Sequence, residues 1–435
     1  MIIKLFHSII EFRHHYIWKI PCGTMSDNGG LVKRGRYLEA MRPFAGNGNA
    51  KVVTGIRRCG KSSLLDTFAG SLPAGINLIK VDMELSDNAG LGTWRDLLGH
   101  VGARLDGSGG NVLVVNEVQD IDGWELAVRD MIARGSCDIY LTGSNSNLLS
   151  SEYSTYLGGR YDRIHMMPLS FSECMDFQDK YHGGGDPDRI LDRFVRVGGF
   201  PILWRYDQDV GSSMKTVRTL VDSSLNNDIM RRYGVRSADL LMRVLRTVVS
   251  TVGSYVSAIN IHNTLRSAGV SVSPDTVYEY LGHLEAANLI VRAEAVDVRG
   301  REALRSTYKY FVTDLAIKHA LVGYRRDDMP GHMENIIFTE LMGRGYDVRV
   351  GRVGGREVDI VADKGDERVY VQACTELSSE DVVKREFGSL EAIGDSHPKY
   401  VVLMDAGPHR GVSSKGIMCC GLREFLEMRS YGGLP

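Results

Sequence analysis

The sequence predicts an α/β protein built on a parallel sheet, with further small domains behind it, and three observations predict this. Residues Lys51–Leu65 pass from a short β-branched strand through a glycine-bounded loop into an apolar helix. Strand and helix segments then alternate to about residue 167, and from residue 238 the pattern changes to three helices and a hairpin. At 435 residues with 43% hydrophobic content, the chain is long enough for two or three cores.

The 52 basic and 54 acidic residues nearly cancel, so any polyanion site must be local rather than a property of the whole surface. Seven cysteines (Cys22, Cys59, Cys137, Cys174, Cys374, Cys419 and Cys420) are scattered without a CxxC pair. That fits neither a disulfide framework nor a zinc site and points to a reducing, cytoplasmic setting. No apolar run reaches the roughly 20 residues that span a bilayer. The opening stretch, broken by Glu11, Arg13, His14 and His15, is a poor signal peptide, so no membrane partner is expected. Residues 1–34 read as an extension in which translation starting at Met25 is one expectation and an amphipathic surface helix over residues 1–20 another.

The loop Gly55-Ile-Arg-Arg-Cys-Gly60-Lys61-Ser62 matches GxxxxGK[ST] between a strand and a helix. Glycines let backbone N–H groups turn inward around phosphate oxygens, and the helix aims its positive end at them. Gly55, Cys59, Gly60, Lys61, Ser62 and Ser63 are therefore the expected phosphate-binding set, with Lys61 bridging the β- and γ-phosphates and Ser62 on Mg²⁺. Arg57 and Arg58 either add to this set or are simply solvated.

Strands are expected at 76–82, 112–115, 139–142 and 163–167, with a helix over Trp124–Arg134. The segment Val112-Leu-Val-Val-Asn116-Glu117 has the form of a Walker B strand, four buried residues delivering polar ones to the strand's C-terminal edge. The position expected to be Asp is Asn116, which brings no charge to Mg²⁺, so weakened metal organisation is expected rather than lost nucleotide binding. Glu117 is either the base that orients attacking water or a solvated strand-end carboxylate. After the next strand, Ser144 and Asn145 either sense a γ-phosphate or cap a helix.

Together, GIRRCGKSS, NEVQDIDGWE, LTGSNSNLL, LGGRYDRIHMMPLSFSE and GGFP resemble a bacterial and archaeal family of AAA+-type P-loop ATP-binding proteins that carry a C-terminal domain of unassigned function. The resemblance runs from about residue 35 to about 405 and implies ATP with Mg²⁺ as the bound species. It also makes Arg160 the expected arginine finger or sensor, a finger in trans requiring a homo-oligomer, though an exposed arginine before an edge strand reads the same way. Phe200 and Pro201 after Gly198-Gly199 read as a structural turn.

The expected organisation is a P-loop NTPase parallel sheet over 35–170 and a helical lid over 171–237. A winged helix over 238–330 and a restriction-endonuclease-like α/β domain over 331–435 follow. Ser273-Pro274-Asp275 opens the expected recognition helix of the winged helix, a frequent DNA-binding module, and the family resemblance implies the same module. That helix carries Asp275, Glu279 and Glu285 and no Lys or Arg, which disfavours DNA and favours docking on protein. The wing's Arg299, Arg301 and Arg305 would either touch a phosphate backbone or be solvated.

In the last region the positions that hold metal in nucleases of this resemblance read Glu334, Asp359 and Gln372-Ala373-Cys374. The second carboxylate and the lysine are replaced, so an inactive relative is expected, and Cys374 reads as a half-buried strand thiol. The expected function is a slow ATP-dependent switch, the alternatives being an oligomeric ATPase motor and a DNA-binding regulator.

Overall fold

The computed structural model describes residues 32–107, 110–145, 157–298 and 303–432. The expectations for residues 1–31 and for Arg299 and Arg301, and those for the side chain of Arg305, fall outside the described residues. The chain divides into two compact units, Met1–Met166 and Met167–Pro435.

The first unit is built on five strands, the central ones being apolar runs buried on both faces, the pattern of a parallel sheet covered by helices. They are β1 (Ala50–Thr54), β2 (Asn77–Asp82), β3 (Asn111–Asn116), β4 (Asp138–Gly143) and β5 (Tyr161–His165). The order is β2-β3-β4-β1-β5, and every neighbouring pair is parallel. Every residue of β1 and β3 is buried, whereas edge strand β2 buries Ile79 and Val81 and exposes Leu78 and Lys80. Helices α1 (Gly35–Met41), α2 (Lys61–Ala69), α3 (Trp94–Gly102) and α4 (Trp124–Arg134) belong to this unit. Helix α3 starts at a capping box in which Thr93 and Asp96 satisfy each other's backbone N–H groups. Leu97, Leu113, Val115, Trp124, Met131 and Leu141 meet in the core.

The second unit opens with helices α5 (Phe171–His182), α6 (Pro187–Val197), α7 (Pro201–Arg205) and α8 (Val210–Ser224), the last running on through one π turn at Leu225–Met230. Helices α9 (Ala238–Ser250), α10 (Ala258–Ser267) and α11 (Pro274–Ala286) follow, then the hairpin β6 (Ile290–Asp297) and β7 (Ala303–Val312). The Ser273 hydroxyl caps α11 by accepting from Thr276 N at 3.1 Å, with Pro274 in the first turn. Next come α12 (Leu315–Val322) and α13 (Met329–Gly343), then β8 (Asp347–Val353), β9 (Arg356–Lys364) and β10 (Glu367–Cys374). The chain ends with α14 (Glu380–Glu391), β11 (Lys399–Leu403), β12 (Gly411–Val412), β13 (Met418–Gly421) and α15 (Leu422–Glu427).

One eight-stranded sheet in the order β12-β13-β11-β10-β9-β8-β6-β7 spans this unit. The hairpin is therefore joined to the terminal strands through the parallel rungs Ala295–Val350, Val296–Gly351 and Asp297–Arg352. Among the described residues, no helix is long and apolar enough to cross a membrane.

The Gly198-Gly199-Phe200-Pro201 segment is a packing device. A Cβ on Gly198, at φ 72°, would stand 1.7 Å from Asp314 Oδ1, and one on Gly199 would stand 2.2 Å from Leu169 O. Asp314 caps α12 by accepting from Ala316 N at 2.8 Å and takes the Gly199 N–H at 2.7 Å. Pro201 opens α7, and Phe200 is buried.

Gly198→Ala is expected to destabilise the protein by about 2–4 kcal/mol in urea denaturation, through a left-handed alanine and an overpacked carboxylate. Burial pushes the Asp314 carboxyl up to about 7 against two backbone N–H groups that favour its ionised form. A folded-state pKa above the unfolded one means that folding takes up a proton, so this group's contribution falls as pH rises from about 4 to about 7. Asp314→Asn, which stays neutral, should lose less stability than the wild type between pH 4.5 and 7.5, and denaturation midpoints at the two pH values measure the difference.

Candidate functional site

The C-terminal ends of β1, β3 and β4 deliver their polar residues to one edge of the first sheet, where open α/β sheets bind ligands. After β1 the backbone turns at Gly55, where a Cβ would lie 2.2 Å from Met166 O. The loop closes at Gly60, whose φ of 108° starts α2 with no side-chain cap. The first amide N–H groups of an uncapped helix have no intrahelical acceptor and point out of its N-terminus, the arrangement that receives phosphate oxygens. Lys61 is 4% exposed, and its Nζ donates to Gly55 O at 3.0 Å and Ile56 O at 3.1 Å. Ser62 is half-buried and Ser63 exposed on the same turn.

Cys59 offers the site its backbone and not its thiol. The sulfur donates to Met166 O at 3.5 Å, and burial pushes the thiol pKa up. Its carbonyl is held by Arg34 Nη1 at 3.1 Å, a brace from outside the motif that the sequence reading missed. Arg57 pairs with Glu84 at 3.6 Å, while Arg58 is exposed at φ 65°.

At the end of β3, Asn116 is buried and held from both sides. Its Nδ2 donates to Asp82 Oδ2 at 3.2 Å, and its Oδ1 accepts from Thr142 Oγ1 at 3.3 Å. The Glu117 N–H donates in turn to Thr142 Oγ1 at 3.0 Å. Neither Asp82 nor Thr142 was singled out from sequence, because pairing across neighbouring strands leaves no local signal.

Glu117 itself adopts the left-handed conformation at φ 52° and places Oε1 3.9 Å from Lys61 Nζ. Burial acts to raise its pKa, but Lys61, the Gln119 amide, Arg57 and the Ser144 hydroxyl outweigh it and hold the carboxyl below its usual range. Ser144 thus joins Glu117, and Asn145 lies fully buried beside it in sequence. The helix that either would cap begins outside the described residues.

The structure does not bring Arg160 to this edge. The residue is exposed and directly precedes β5, whose first residue Tyr161 pairs with Ala50 at the start of β1. A five-residue strand of about 16 Å therefore separates it from the P-loop of its own chain.

Residues 47–175 match the model of the AAA domain family, and residues 188–328 match a domain of unknown function, DUF8612. An uncharacterized protein of Haemophilus influenzae is 31% identical over 377 residues, covering 86% of this chain and 93% of that one. The chain belongs to the same family, with an AAA domain at its front. An uncharacterized protein of Methanocaldococcus jannaschii is 25% identical over 340 residues, covering 75% of each chain. Among solved structures, a Walker-type ATPase of Pyrococcus abyssi covers 68% of this chain and 99% of its own at 17% identity, with a TM-score of 0.48. The FIGL-1 AAA domain in complex with ADP covers 64% and 96% at 11% identity, with a TM-score of 0.32. The AAA domain gives the chain a general ATPase-type, nucleotide-binding character.

The Ser62 hydroxyl at the helix start and the Asn116 amide at the strand end, with Glu117 and Asp82 next to Asn116, are the groups that would meet the Mg²⁺ accompanying nucleotide in such domains. The groups fit a hydrated ion held mainly by nucleotide phosphates.

Behind the AAA domain, Glu334 and Asp359 come together around a residue the sequence reading did not single out. Lys309 on β7 pairs with Glu334 at 2.7 Å and Glu357 at 2.5 Å. Asp359 accepts from Ala373 N at 2.8 Å, and its own N–H donates to Gln372 Oε1 at 3.3 Å. Burial raises the pKa of both Glu334 and Asp359. Burial would lower that of Lys309, but the carboxylates around it hold it above its usual range. Cys374 donates to Glu376 O, and burial keeps it a thiol. Among the described residues, no group of three or more His, Cys, Asp or Glu is arranged to hold a metal ion.

A lone lysine in the apolar run Tyr308–Val312 is the signal that could have found this cluster, since lysine is buried only when paired. Lys309→Met should cost about 3–5 kcal/mol by leaving Glu334 buried without its partner. The loss should shrink as pH falls from 7.5 to 5 and Glu334 protonates, and paired urea titrations measure it.

Proposed function

We propose that this chain is an ATP-binding switch that hydrolyses nucleotide slowly and transmits its nucleotide state to interaction surfaces in its C-terminal region. The observation that carries this reading is Glu117, a carboxylate held ionised 3.9 Å from the P-loop lysine. A group so placed orients and accepts a proton from attacking water. Loop and first-turn amides with Lys61 would bind the phosphates, and Ser62 and Asn116 would hold Mg²⁺, which supplies charge neutralisation at the phosphates when bound.

Slow turnover follows from Asn116, whose neutral amide replaces the charge that normally orders the metal shell. Ser144 and Asn145 beside Glu117 would register the terminal phosphate. Arg160, remote from its own P-loop, would act only as a finger offered to a second copy, which makes a homo-oligomer part of the proposal.

Helices α9–α11 with the hairpin β6–β7 form the winged helix of this proposal, and the strands from β8 onward its inactive nuclease-like domain. On α11, Asp275 and Glu279 are exposed beside Tyr278, and Ile259 is exposed on α10, a surface suited to a protein partner and repellent to DNA. No disulfide joins the described cysteines, which supports a cytoplasmic setting.

Steady-state ATP hydrolysis with Mg²⁺, with nucleotide binding measured in parallel, tests the proposal. The wild type should bind ATP and turn over below about 1 s⁻¹. Glu117→Gln should keep binding and lose turnover by about 10²-fold or more, while Lys61→Ala should lose binding. Faster wild-type turnover would replace the switch by a motor, and an absence of nucleotide binding would overturn both.

A further inference from the structure

In the register of β2 against β3, Asp82 stands directly opposite Asn116, the two strand ends presenting one acid and one amide at the same level of the nucleotide edge. The pair is bonded, Asn116 Nδ2 to Asp82 Oδ2, and the other carboxylate oxygen accepts from Glu84 N at 3.0 Å. The donors run in one direction. Glu117 N–H gives to Thr142 Oγ1, whose hydroxyl gives to Asn116 Oδ1, whose amide gives to the Asp82 carboxylate. This fixes the orientation of the Asn116 amide, since a carboxylate only accepts and so requires the NH₂ on its side.

We propose that Asp82 is the carboxylate of the Mg²⁺ shell in this AAA domain, acting from β2 through Asn116, so that acid and amide have exchanged strands relative to an acid on β3. The inference rests on the nucleotide-binding reading above and adds to it the residue that supplies the missing charge. Asp82 is half-buried at the edge strand, one hydrogen bond from the position a Walker B carboxylate occupies. An outer-sphere carboxylate there orders metal-bound water through Coulomb attraction and hydrogen bonding, and loss of such a partner typically weakens a metal site by about 10–100-fold. The hydroxyl of Thr142 and the amide of Asn116 carry no charge, and Glu117 is engaged by Lys61, Gln119 and Ser144. Asp82 is the carboxylate bonded to Asn116.

The test is the apparent Mg²⁺ affinity of the protein–ATP complex, read by titrating MgCl₂ into full-length chain with a fluorescent ATP analogue, alongside ATP affinity in EDTA. Three proteins are compared: wild type, Asp82→Asn, and the exchange Asp82→Asn with Asn116→Asp, which keeps the cross-strand bond and moves the charge to β3. The expected result is a 10–100-fold weaker Mg²⁺ affinity in Asp82→Asn, unchanged metal-free ATP binding, and restoration in the exchanged protein. Unaltered Mg²⁺ affinity in Asp82→Asn, or a loss that the exchange does not restore, overturns the proposal. A wild type that binds ATP equally with and without Mg²⁺ overturns it while leaving nucleotide binding intact. Failure of the wild type to bind ATP even in EDTA removes the nucleotide reading itself.

Discussion

Parallel pairing of β1 to β4 is the constraint from which the candidate site follows. Because all the strands run the same way, their last residues reach one edge together: Asp82 beside Asn116, with Thr142 bonded to Asn116, and the loop after Thr54 completing the row. No single segment contains the site. Reversing any one strand would send its polar end to the opposite edge, where Arg160 now lies. The conformations of Gly55 and Gly60 then matter because they let the loop fold back against Met166 and aim α2 at the same edge.

Much of this was legible in the sequence because it is written in local patterns. Strands β3 and β4 are continuous apolar runs, α11 announces itself by Ser273 and Pro274, and the loop from Gly55 to Ser62 is a contiguous motif. Helix α13 begins at Met329, with Pro330 tolerated in its first turn. Helix α12 was not seen, since its residues from Leu315 to Leu321 are buried on every side and so carry no helical period. Strand β13 and helix α15 were also missed, being only four and six residues long.

What was illegible is what depends on distant parts of the chain. The bond between Asp82 and Asn116 spans 34 residues and that between Lys309 and Glu334 spans 25. Asp82 reads as an ordinary strand-end carboxylate until the neighbouring strand is in place, and Lys309, although its apolar run marks it as paired, does not name its partner until α13 is in place. The same holds for Gly198, whose need to be glycine comes from Asp314 more than a hundred residues later.

The hairpin β6–β7 has a mechanical consequence. Since β6 is bonded to β7 on one side and to β8 on the other, and Lys309 ties β7 to α13 and β9, the three-helix segment and the terminal strands share one sheet. A swivel between them would break three parallel rungs and expose an unpaired strand edge. They are geared together as a single arm, and the helices before Ala238 are fastened to it as well, since Asp314 takes the Gly199 N–H and Arg218 donates to Ala320 O.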